Sequence, residues 1–215
     1  MSKLRMIRQV ILVFVWICIS ARSFAQFGIQ VGWNTSGYKL TKAGVHEKRG
    51  WNWGVNAGIL YSTPGKVVSL QPTLLYTQKG ATNNNNGSTY VSGISHFKNK
   101  LAYVELSLPL ILKAPLGVKR CSFDIGAGPY FSKLVSAVSK AVDLDGGSKN
   151  TKFKVGNAST DDFKTGDIGL SFYMGMRVKH FFMSMGYDLG LSDVDPRSTE
   201  TIKNGCFTLN IGALF

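Results

Sequence analysis

The chain has 215 residues, a formal net charge of +13, 24 glycines, 12% aromatic and only 17% charged residues, with a mean hydropathy of +0.03. One domain with a real core fits that length, whereas a long-helix protein and a multi-span helical membrane protein do not fit the composition. A basic surplus of this size suits an anionic lipid surface or nucleic acid, and the address decides between them.

The N-terminus supplies an address. Lys3, Arg5 and Arg8 precede an apolar run over residues 10–19, and Ser23-Phe24-Ala25 offers small residues at −3 and −1. This order predicts a signal peptide over residues 1–25, cleaved before Gln26. The run falls short of the ~20 residues an anchor helix takes. Cys18 follows Trp16 and Ile17 rather than a small residue, which argues against lipidation. Later in the chain no stretch is apolar for ~18 residues, so no transmembrane helix is expected. Export and the lack of a recognition motif exclude nucleic acid as a partner.

After Gln26 the dominant signal is alternation with period two, the period of a strand. Phe27, Ile29, Val31 and Trp33 share one face against Gly28, Gln30, Gly32 and Asn34. Next come Trp51, Trp53, Val55, Ala57, Ile59 and Tyr61, then Val68, Leu70, Leu74 and Tyr76, then Val104, Leu106, Leu108, Leu110 and Leu112. The second half repeats the pattern with Phe123, Ile125, Ala127 and Phe131, then Ile168, Leu170, Phe172, Met174 and Met176. Met183, Met185, Tyr187, Leu189 and Leu191 follow, and Phe207, Leu209, Ile211, Ala213 and Phe215 close the series. These are about eight strands of roughly ten residues, the length that crosses hydrocarbon when tilted.

The connections alternate. Residues 63–66, 114–119 and 178–180 read as short turns; 38–50, 80–99, 132–164 and 193–204 read as long polar loops, the second with an Asn83–Asn86 tract. Short turns on one rim and long loops on the other are the asymmetry of an outer-membrane barrel. The expected fold is therefore all-β, an eight-stranded antiparallel up-and-down transmembrane barrel over residues 26–215.

Alternation alone does not say which face meets lipid, and a soluble periplasmic barrel has the same period. Bulky aromatics near strand ends, including Trp33, Trp51, Trp53, Tyr61 and Phe215, favour interfacial girdles. Glu105, Asp124, Arg177 and Asp188 lie on the polar faces, where a lumen pairs them. Eight strands leave an interior that side chains fill, so Arg177 is expected to pair with some of the three acids in a plugged barrel.

Several segments resemble the PorT-like outer-membrane β-barrel family, the outer membrane protein beta-barrel domain group. Gly32-Trp33-Asn34-Thr35-Ser36 is similar to its first-strand pattern, and Leu70-Gln71-Pro72-Thr73-Leu74-Leu75-Tyr76-Thr77-Gln78-Lys79-Gly80 to its third strand. Tyr103-Val104-Glu105-Leu106 and Pro109-Leu110-Ile111-Leu112-Lys113 resemble a further strand, with Ser107 and Leu108 added between them. Gly128-Pro129-Tyr130-Phe131 and Tyr187-Asp188-Leu189-Gly190-Leu191 resemble later signatures. The resemblance implies outer-membrane location and insertion by the barrel-assembly machinery, and in one branch a part in protein secretion. It implies no activity.

His46, His96 and His180 lack metal-ligand spacing, so no metal or cofactor is expected. Ser95-His96 with Glu105 invites comparison with a hydrolase triad, but a triad is defined by geometry, and the chain is read as non-enzymatic. Cys121 and Cys206 are expected at opposite ends of the barrel as free thiols. The first two long loops carry Lys39, Lys42, Lys48, Arg49, Lys79, Lys98 and Lys100 against Glu47. They read as contacts for the phosphates or sugars of outer-leaflet lipid, or as ordinary solvated loops. The functions left open are a structural or surface-interaction barrel, an accessory to secretion or transport with other envelope proteins as partners, and a lipid-modifying enzyme.

Overall fold

A computed structural model describes residues 26–42, 45–48, 50–84, 94–117, 120–143, 147–196 and 201–215. The expected signal peptide and Arg49 lie outside the described residues. The strands are β1 (Gln26–Lys42), β2 (Val45–Lys48), β3 (Gly50–Ser62), β4 (Val68–Leu70), β5 (Thr73–Asn84), β6 (Ile94–Ser107), β7 (Leu110–Pro115), β8 (Cys121–Asp143), β9 (Ser148–Lys152), β10 (Gly166–Val178), β11 (Phe181–Gly190) and β12 (Thr201–Leu214).

Antiparallel ladders run β1–β3–β5–β6–β8–β10–β11–β12, and β12 pairs back onto β1. Over the belt the ring is closed and has no free edge; above it, among the described residues, β9 pairs with β8 alone. β4 and β7 continue β5 and β6 beyond breaks at Gln71-Pro72 and Leu108-Pro109, giving eight staves. A proline has no N–H for a ladder, and the breaks lie side by side. Gln71 N donates to Pro109 O at 3.0 Å, and Leu108 N to Pro129 O at 2.9 Å. Facing survives the added Ser107 and Leu108: Leu106, Leu110 and Leu112 all remain on the outside, because a two-residue insertion preserves alternation.

The greasy face points outward. Ile29, Leu170 and Leu209 are 55%, 39% and 39% exposed, whereas Gln30, Arg177 and Asn210 on the opposite face are 6%, 8% and 8% exposed. A continuous belt of this kind is intolerable in water and is what hydrocarbon requires. Phe27 and Tyr61 pack at its lower rim with their rings tilted by 60°, 5.0 Å between centroids. The turns at 63–67 and 179–180 and that between β7 and β8 are short, and the first and last strands start and finish on the same rim.

Much of what the sequence assigns to long loops is strand. β1 runs to Lys42 and is extended by β2; β5 reaches Asn84, β6 begins at Ile94, and β8 continues to Asp143 and pairs with β9. The reason is an inversion of the pattern. Above the belt the inward positions become apolar (Tyr38, Ala81, Leu101, Tyr103, Leu134, Ala137, Ile202) and many outward ones polar, with Trp51 and Val135 still exposed among them. A one-residue shift between β6 and β8, at Ala102/Tyr103, changes the facing of β8 where this happens; a bulge does this by adding one residue to one strand.

Candidate functional site

The lumen has three storeys. At the periplasmic end Leu60, Phe182 and Leu214 form an apolar plug. Gly212 makes room for it, since a Cβ there would overlap the Phe182 ring. Beside the plug Arg177 Nη2 lies 2.9 Å from Asp124 Oδ2, and Ser122 Oγ donates to Asp124 Oδ1 at 2.7 Å.

The middle storey is organised by Lys79, which is 1% exposed. Its Nζ lies 2.6 Å from Glu105 Oε2 and 3.3 Å from Asp188 Oδ2, and 4.5 Å from the Tyr130 ring centroid. Ser171 Oγ donates to Asp188 Oδ1 at 2.8 Å. Asp167 accepts from Asn204 Nδ2 at 2.7 Å, Ser192 Oγ at 2.8 Å and Tyr130 OH at 3.1 Å. Buried charges are tolerated when paired and hydrogen-bonded in this way. Above them the apolar cluster closes the top, where Phe163, carried in by the segment after β9, packs with Tyr38, Leu101, Tyr103 and Val194. Lys164 N donates to Val194 O at 2.9 Å and Leu134 N to Thr165 O at 2.7 Å, tying that segment down.

Lys79 is not a loop cation; it sits on β5 at the centre of the lumen and takes Glu105 and Asp188, leaving Asp124 to Arg177. Asp167, which sequence reading passed over, is fully buried beside them. It stands an even number of residues before Arg177 on β10 and so shares its face; that parity was the available signal. Lys39, Lys98 and Lys100 stand on strands rather than loops, on β1 and β6, pointing outward. Lys42 and Lys48 belong to β1 and β2, but their side chains lie outside the described residues, as does Arg49.

The Ser95-His96-Glu105 grouping is not assembled. His96 and Glu105 are separated along β6 by about 30 Å at about 3.4 Å per residue, and Glu105 is engaged by Lys79. Among the described residues no group of three or more His, Cys, Asp or Glu side chains is placed to hold a metal ion. Cys121 and Cys206 are free thiols, the first half-buried at the foot of β8, the second buried in the lumen.

A closed eight-stave ring, apolar outside and ionic inside, defines a transmembrane β-barrel of the outer-membrane type. Residues 20–195 match the family described as outer membrane protein beta-barrel domain, and the chain belongs to that family. It is a protein of the bacterial outer membrane. Similar solved structures include Ail, the attachment invasion locus protein of Yersinia pestis, at 13% identity and TM-score 0.42, covering 89% of this chain and 99% of that one. Neisserial surface protein A is similar at 15% identity and TM-score 0.45, covering 89% and 99%. The N-terminal barrel of Pseudomonas aeruginosa OprF is similar at 10% identity and TM-score 0.32, with the same coverage. No curated protein matches the chain.

Proposed function

We propose that this protein is a non-enzymatic, non-conducting barrel whose role is structural or lies in contacts at the cell surface. The carrying observation is the filled lumen: an apolar plug, two ion-pair groups and an apolar cap are stacked from one rim to the other. Function then belongs to the outside of the wall and to its extracellular end, where a rigid barrel presents its connections. Outer-membrane lipid and the barrel-assembly machinery are the partners this reading requires. The test is conductance in planar bilayers. The reading expects no current steps after reconstitution of folded protein, and an ohmic channel at neutral pH would overturn it.

The motif resemblance to the PorT-like branch, strongest over residues 70–80, favours a second reading as an accessory to protein secretion. A stable stoichiometric partner co-purifying in mild detergent would support that reading, and a barrel isolated alone would remove it.

A further inference from the structure

Charge is sorted across the wall of this barrel. The acids on the described transmembrane strands, Glu105, Asp124, Asp167 and Asp188, all point inward. Outward positions turn to lysine just above the apolar belt. On β6 the outward series runs Leu106, Val104, Lys100, Lys98, with the covered Ala102 between; on β8 it passes from Phe131 to Lys133; on β12 from Phe207 through Gly205 to Lys203; on β1 from Trp33 through Thr35 and Gly37 to Lys39. Two ladders even set lysine against lysine, Lys98 opposite Lys140 and Lys39 opposite Lys203. Directly opposed residues have Cβ atoms about 4.5–5.5 Å apart, and like charges there repel. Among the described residues no carboxylate forms an ion pair with any of these four or with Lys100.

One of these places is concave. Lys98, Lys100 and Lys140 line a groove of about 550 Å³ on the outer wall, with Tyr76, Gln78, Ser136 and Asn150. Its lower lip is belt: Tyr76 lies opposite Val104 in the ladder, both exposed. Its upper side is built by β9, whose Asn150 stands opposite Lys140. We infer that this groove holds the phosphorylated headgroup of an outer-leaflet glycolipid, with lysines on the phosphates, Gln78, Ser136 and Asn150 on sugar hydroxyls, and the acyl chains against Tyr76 and Val104. Charge complementarity selects an anion. Continuity with the belt selects a lipid over a free ion, because the lysines stand where the headgroup layer begins. An anion there also removes the repulsion between Lys98 and Lys140. The inference deepens the surface role proposed above and rests on it.

Native mass spectrometry of the whole folded protein in detergent tests it, with diphosphorylated lipid A as probe beside the same lipid stripped of phosphate. Wild type should retain the phosphorylated form selectively. Lys98→Gln/Lys100→Gln/Lys140→Gln should lower its affinity about tenfold or more, as expected for losing charge-assisted bonds. Lys66→Gln/Arg120→Gln/Lys179→Gln, on the periplasmic turns, should leave it unchanged. Heat-dependent gel mobility reports folding of each variant, and the single change Lys140→Gln, expected to weaken binding several-fold, serves if the triple variant does not fold. Equal retention of both lipids, or undiminished binding by folded groove variants, overturns the site. Displacement of the lipid by millimolar inorganic phosphate overturns the lipid as its occupant. Neither result touches the sealed lumen, whose failure would show as conductance.

Discussion

The lower and upper halves of the wall obey opposite rules on the same strands. Within the belt β12 turns Phe207, Leu209 and Ile211 outward and Asn210 inward; above it the same strand turns Ile202 inward and Lys203 outward. β6 makes the same exchange between Val104 outward and Leu101 inward. β1, β6, β8 and β12 each cross the boundary as one strand, β8 with a one-residue bulge, so the medium outside decides which face is apolar. Where lipid surrounds the barrel its polar groups withdraw to the lumen, where Lys79 and Arg177 pair with the acids. Where water surrounds it the interior becomes an ordinary apolar core.

Breaking the lumen of the lower region should cost most. Lys79→Met leaves Glu105 and Asp188 buried without their cation, a loss of about 3–5 kcal/mol by urea unfolding in lipid. Adding Glu105→Gln and Asp188→Asn should restore a large part of it, because replacing a whole buried group is far cheaper than orphaning half. In the upper region Leu101→Ala should cost about 2–5 kcal/mol, as in a soluble core. Leu209→Arg on the lipid face should cost about 2–4 kcal/mol, whereas Ser148→Arg, exposed on β9, should stay within about 0.5 kcal/mol. Equal penalties at those two sites would erase the distinction between the halves. The mildest probe is chemical: in folded protein, maleimide should modify the half-buried Cys121 and spare the buried Cys206.

The belt was legible in the sequence because its apolar positions keep one phase over eight segments. The upper wall was not, because its apolar residues move to the other phase. On β6 Leu101 and Tyr103 are followed by Val104 and Leu106, and β8 gains one residue around Val135, so each looks like the end of a pattern. Lys79 read as a loop cation because it follows Tyr76, the last apolar outward residue of β5. Its parity with Gln71, Thr73 and Thr77, all buried in the lumen, already put it inside. Which acid meets which cation depends on height across several tilted ladders, and no one-dimensional pattern carries that.

Nitroxide accessibility in lipid reads the orientation of the wall directly, with labels at Ile29, Leu209, Lys140 and Asn210, one at a time, in a background of Cys18→Ser, Cys121→Ser and Cys206→Ser. Labels at Ile29 and Leu209 should be relaxed by oxygen dissolved in the membrane, that at Lys140 by a water-soluble nickel chelate, and that at Asn210 by neither. Nickel access at Ile29 and Leu209 together with oxygen access at Asn210 would contradict the account.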